Sequence, residues 1–164
     1  MVLTMKKSLV TLLLSILMMV SFFPIEAMSA GMNEETFDKK LAEYIKAHPN
    51  KSQNPVSGEC FGFANDMAKY IFGSRPSGSM KAPSGSVNSN WTITRGAKAI
   101  DNVCKGDIIR VNLHDNVDHS MFVTLVTSDE IYVSDANWDH NNTVYITIRF
   151  GKHGINSKRY WIGH

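Results

Sequence analysis

The order of patterns along this chain predicts an α+β domain in which N-terminal helices pack on one face of a C-terminal antiparallel β-sheet. Apolar residues recur at spacings of three and four only before residue 73, and segments rich in Val, Ile, Phe, Tyr and Thr follow one another after Trp91. Size adds a third constraint. Once a leader is set aside, residues 31–164 are enough for a single core and not comfortably enough for two.

The leader is residues 1–30. Lys6 and Lys7 precede the apolar run Leu9 to Phe23, Pro24 breaks it, and the small residues Ala27, Ser29 and Ala30 follow. That sequence of features reads as a secretory signal peptide; the run is short for a spanning helix and no cysteine follows it to take a lipid. The expectation is an exported protein with no stable membrane anchor after cleavage.

Residues 33–48 predict the first helix. Phe37, Leu41, Tyr44 and Ile45 form one stripe, Asn33 is placed to cap the start, Glu34 and Glu35 suit the first turn and Lys46 the last, and Pro49 ends it. A polar loop through Pro55 leads to a second helix from Cys60 to Phe72, where Phe61, Ala64, Met67, Ala68, Ile71 and Phe72 recur at three and four and Gly73 supplies the stop. Residues 74–90, with six serines, two glycines and two prolines, predict a long loop that either connects or borders a groove. Strands are expected at Asp107–Asn112, His119–Val126, Glu130–Ala136 and Thr143–Phe150, with a short one near Arg159–Ile162.

Charge excludes some partners. The chain carries 17 basic and 15 acidic residues, and without Lys6, Lys7 and Glu26 there remain 15 and 14. A balance this even gives no strong field, so neither nucleic acid nor an anionic membrane surface is indicated.

The candidate chemistry starts at Cys60. A helix start offers unpaired N–H groups and partial positive charge, which favour a thiolate and can stabilise a developing oxyanion. A three-residue turn at Thr127–Asp129 would pair His119 with Asn137 and make Asp135 its diagonal neighbour on the same face. The thiol would then have a base in His119, and the base an orienting group in Asp135 or Asn137, while Trp138 is placed to exclude water. Plainer readings stand beside each: Cys60 as a small buried residue, or joined to Cys104 in a disulfide; His119 as a core histidine; Asp135 and Asn137 as the end of a strand; Trp138 as ordinary core. Their joint order favours chemistry. A metal set from His114, His119, Asp115 and Asp118 fits no helical zinc spacing, and His48, His140, His153 and His164 have no supporting pattern. A thiol and an imidazole complete an acyl transfer alone, so no cofactor and no metal is implied.

Four short motifs carry a family resemblance: Gly58-Glu59-Cys60, Gly106-Asp107-Ile108, Asp118-His119-Ser120 and Asp135-Ala136-Asn137. In order and separation, over about residues 54 to 150, they resemble the CHAP cysteine peptidases and amidases, relatives of the NlpC/P60 enzymes in the papain-like superfamily. The resemblance implies a papain-like fold and cleavage of an amide in peptidoglycan or a peptide, as amidase or endopeptidase. By position it makes Cys60 the nucleophile, His119 the base, Asp135 its orienter and Asn137 a supporting polar group. Asn54 or Gln53 would be the oxyanion donor, and Glu59, Trp138 and Trp91 would line the groove. Glu59 departs from the glutamine that many members carry before the cysteine. Transglutaminase-like domains share the order Gly-x-Cys, His and Asp, which would imply transfer to an amine. A catalytically inactive binding or immunity module of the same fold is the reading from another class.

Overall fold

The structure, a computed structural model, describes residues 32–75, 87–88, 91–95, 101–112, 118–152 and 161–163. The expected leader, most of the 74–90 loop, and His114, Asp115, His153 and His164 lie outside them. Helix α1 is Glu34–Ala47; Asn33 holds an extended backbone and its Oδ1 accepts the Thr36 N–H at 2.8 Å. The predicted stripe is the buried one: Phe37 and Tyr44 sink completely, with Leu41 and Ile45 packed beside them. Helix α2 is Glu59–Phe72 and ends at Gly73, whose left-handed φ of 75° turns its N–H onto the Lys69 carbonyl. Phe63, Ala64, Met67, Ala68 and Ile71 bury its inner face. Two side-chain bonds clamp the helices: Lys40 Nζ donates to the Ile71 carbonyl at 2.6 Å, and the Tyr44 hydroxyl donates to Asp66 at 3.0 Å. No helix among the described residues is long and apolar enough to cross a membrane.

The strands are β1 Val87–Asn88, β2 Trp91–Arg95, β3 Ile108–Asn112, β4 Asp118–Val126, β5 Glu130–Ala136, β6 Val144–Gly151 and β7 Trp161–Gly163. Every pairing is antiparallel, in the order β1-β2-β7-β3-β4-β5-β6. The expected α+β layering is therefore the observed one, with α2 lying across β4 and β5. Three details differ from expectation. Residues 74–90 are not loop throughout, because Val87–Asn88 pairs with β2. The C-terminal strand falls at 161–163 and inserts between β2 and β3. Strand β3 starts at Ile108 because Asp107 is used as a turn cap: its carboxylate accepts the Cys104 N–H at 2.8 Å. Just before it, Gly106 has a φ of 96° and sits against the Phe72 and Phe37 rings, where a Cβ has no room.

Alternation sorts the sheet into two apolar faces. The helix side carries Ile108, Phe122, Ala136, Val144 and Ile146, together with Trp91. The far side carries Ile109, Val111, Met121, Val123, Ile131 and Val133, partly covered by Trp138, Ile148 and Phe150.

The β4–β5 hairpin sets the register of the site. Its tip is one residue tighter than expected, since Thr127 donates its N–H to the Glu130 carbonyl at 2.9 Å and pairing begins Val126↔Ile131, Leu125↔Tyr132. A bulge between Val123 and Leu125 then restores the missing residue, giving Val123↔Val133 and Phe122↔Ser134. Continued to the strand ends, that register sets His119 opposite position 137, with Asp135 diagonal to it.

Candidate active site

Cys60 sits in the first turn of α2, delivered by an unusual backbone. Gly58 caps the helix at φ 92°, and Glu59 follows at φ 52°, so two consecutive left-handed residues swing the chain into the helix. Gly62 has no room for a side chain, because the Ser57 carbonyl lies where its Cβ would be. The loop thus folds tightly over the first turn, and Cys60 is left 8 % exposed.

From the sheet, His119 arrives near the start of β4 and Asp135 near the end of β5, on the same face of neighbouring strands. Both are buried, at 2 % and 0 % exposure, and His119 Nδ1 lies 3.5 Å from Asp135 Oδ2. That is ion-pair distance without hydrogen-bond alignment; Nδ1 and both Asp135 oxygens are buried with no hydrogen-bond partner. Asp135 and then the Cys60 sulfur favour the imidazolium, and against the cost of burial they push the His119 pKa up to about 10. Burial raises the Asp135 carboxyl, while His119 pulls it back. The structure thus brings together a thiol, an imidazole and a carboxylate within 4.8 Å of one another. Trp138 packs on this group, its ring 5.5 Å from that of His119 and 5.5 Å from Phe150. The His140 ring lies 6.0 Å from His119.

Such a trio can work in two ways. As a relay, the carboxylate fixes the imidazole and the imidazole exchanges a proton with sulfur. As a donor set, S, N and O ligands suit a metal such as zinc. His119 Nδ1 lies 3.5 Å from the Asp135 carboxylate, the place from which a carboxylate orients the ring in the relay.

The other expected site residues take different places. Asn137 leaves the strand in a left-handed turn, φ 76°, so its amide peels away from the imidazole. Its Nδ2 donates to Glu59 Oε2 at 3.2 Å and its Oδ1 accepts the Asn142 N–H at 2.7 Å. The amides of Asn54 and Gln53, expected as oxyanion donors, are engaged with Asn142. Asn54 Nδ2 is bonded to Asn142 Oδ1 at 3.0 Å and Gln53 Nε2 to the Asn142 carbonyl at 3.2 Å, so both amides pin the 50–58 loop to the β5–β6 loop. Trp91 is core and not groove: it is 1 % exposed, stacked edge-on with Phe72, and its N–H donates to Ser74 Oγ at 3.1 Å. Glu59 is exposed beside Cys60. Cys60 and Cys104 are both free, which removes the disulfide reading. Burial and then Asp107 push the Cys104 thiol up, opposed by Lys152.

Asn142 is the residue that sequence reasoning missed. With φ 54° it accepts from the Asn54 and Gln53 amides on one side and donates its N–H to Asn137 Oδ1 on the other. The Asn141-Asn142 pair reads in sequence only as turn chemistry, and nothing local marks it as a hub.

No family model and no curated relative matches the sequence. Among solved structures, the crystal structure of a wild-type endolysin, LysIME-EF1, is similar in fold: TM-score 0.52 and 15 % identity, over 78 % of this chain and 63 % of the endolysin's chain. The chain therefore spans less than two thirds of that protein, and the likeness is one of architecture.

Proposed function

We propose that this chain is a secreted cysteine hydrolase that cleaves an amide bond in peptidoglycan, as amidase or endopeptidase, with Cys60 as nucleophile, His119 as base and Asp135 as its orienter. The observation that carries this reading is the meeting of the Cys60 thiol with a buried His119–Asp135 pair at a helix start. Its support from outside the site is the fold shared with an endolysin and the CHAP-like order of motifs.

In this reading His119 takes the thiol proton. Sulfur adds to the amide carbon, and the charge forming on oxygen meets the N–H groups of the first turn of α2. His119 gives its proton to the departing nitrogen as the C–N bond breaks, leaving an acyl-thioester. His119 then takes a proton from water, whose oxygen adds to the acyl carbon; the C–S bond breaks and the acid is released. Asp135 keeps the ring oriented throughout. Trp138, packed on the imidazole, limits water at the proton-transfer atoms.

Digestion of purified peptidoglycan, followed by identification of the new end groups, tests the proposal. New end groups with wild type and none with Cys60→Ser are expected, on the order of 10⁴-fold or more below wild type. Iodoacetamide should modify Cys60 well before Cys104, whose thiol is held protonated by burial and Asp107. Activity that survives Cys60→Ser would refute the mechanism. Activity that vanishes with a chelator and returns with zinc would convert the trio into a metal site.

A further inference from the structure

Glu59 is not used by the chemistry above, yet it precedes the nucleophile directly. It is exposed, its backbone is left-handed at φ 52°, and its Oε2 is held at 3.2 Å by Asn137 Nδ2 from the opposite loop. A neutral amide donor fixes a carboxylate without cancelling its charge. The bond joins the residue before Cys60 to the residue two after Asp135, so it ties together the two segments that carry the nucleophile and the carboxylate. Asp139 adds a second fixed anion on the same loop, its carboxylate accepting the Tyr145 hydroxyl at 2.9 Å and the Asn141 N–H at 3.2 Å. Asp139 is near enough to Asp135 for their charges to interact. Anions held this way attract a cationic group and disfavour an anionic one.

Resting on the hydrolase reading, we propose that Glu59 is a specificity-determining residue that selects amides flanked by a free amine, so that the preferred substrates are stem or bridge peptides whose basic side chain or N-terminus is unacylated. The carboxylate would pair with the ammonium as the amide settles on Cys60. Because Glu59 is exposed, the preference is modest and weakens with salt.

The test compares purified Gram-positive peptidoglycan before and after acetylation of its free amines with acetic anhydride, digested by wild type, Glu59→Gln and Glu59→Lys. Wild type should cleave the native polymer about three- to five-fold faster than the acetylated one, the range set by exposed ion pairs. Glu59→Gln should bring that ratio close to one, and Glu59→Lys should invert it. Iodoacetamide labelling of Cys60 in each variant reports that the site is intact. Should either variant fail to fold, the wild-type ratio measured at rising salt replaces it, and a ratio that does not fall overturns the inference. Equal cleavage of both polymers by wild type, or a ratio unchanged in Glu59→Gln, overturns the inference and leaves the hydrolase reading standing. Cleavage of neither polymer by wild type overturns both.

Discussion

The two ends of the β4–β5 hairpin are made of the same antiparallel ladder and put to opposite use. At the turn, Thr127 and Glu130 satisfy one another: Thr127 Oγ1 accepts the Glu130 N–H at 3.0 Å, and the Thr127 N–H reaches the Glu130 carbonyl at 2.9 Å, all at the exposed surface. At the other end, His119 and Asp135 are buried side by side with their facing atoms lacking aligned hydrogen bonds. Buried polar groups without partners are costly in a fold and common in sites that move protons. The ladder between them, Phe122 above all, provides the packing that holds the costly end in place. On the proposed reading the hairpin separates stability from chemistry along one element, and substitutions along it should separate them too.

The largest effect belongs to the buried end. His119→Ala should reduce peptidoglycan cleavage on the order of 10⁴-fold, since members of such a relay fail as a unit. The domain should still melt cooperatively, because Asp135 can take up a proton instead of remaining a lone buried charge. Turbidity clearance and a thermal melt followed by circular dichroism measure the two together. A variant that loses folding as completely as activity would show that the site end is structural.

Next comes the middle of the ladder. Phe122 is fully buried on the helix side, stacked on Phe37 at 6.2 Å between ring centroids and tilted on Phe72 at 6.4 Å. Phe122→Ala should cost about 3–5 kcal/mol in urea unfolding, the usual range for a buried aromatic. Activity per folded molecule should fall far less than in His119→Ala, even though the two positions are three residues apart on one strand.

Asp135→Asn should be milder, roughly 10²-fold in rate, and diagnostic in its pH dependence. The His119 pKa stands near 10 in the folded protein, against 6.5 for the free side chain, with Asp135 as the largest cause. A raised pKa stabilises the folded state fully below about pH 6.5 and loses that contribution as pH rises through about 10. In wild type the alkaline limb of activity and the alkaline loss of stability should both fall toward pH 10. In Asp135→Asn both should move down toward 6.5. A limb that stays in place would mean that Asp135 does not govern the imidazole.

These residues also mark how far the sequence could be read. The helices were legible because their stripes repeat over fourteen residues each, and periodicity over that length outweighs local noise. The approach of His119 to Asp135 was legible for a subtler reason. The expected three-residue turn does not occur, but the tighter tip and the bulge at Thr124 offset each other by one residue, and the register at the site is unchanged. What was not legible depends on contacts between distant segments. Asn137 looks like a partner for His119 by alternation, yet its positive φ breaks that alternation and sends it to Glu59. Trp91 looks like a groove residue by type, and only the packing with Phe72 makes it core. Lys105 carries no apolar signal at all; it is buried because Asp38 at 2.7 Å and Glu34 at 3.2 Å neutralise it over the Phe37 ring.

The smallest effect should come from the turn, and it is the sharpest check on the separation. Thr127→Ala removes the hydroxyl that accepts the Glu130 N–H and donates to its carbonyl. Both groups lie at the surface, where water replaces the lost bonds, so the cost should be about 0.5–1 kcal/mol in urea unfolding. Eight residues of extended chain, roughly 25 Å, separate Thr127 from His119. At that distance a local loss should not reach the site, and specific activity should match wild type. The bulge at Thr124 gives this expectation its force, because it lies between the two ends and sets the site register by its own irregularity. If Thr127→Ala also lowers specific activity severalfold, the register at His119 depends on the turn. The bulge would then transmit slippage along the strand instead of absorbing it, and the two ends would be one mechanical unit.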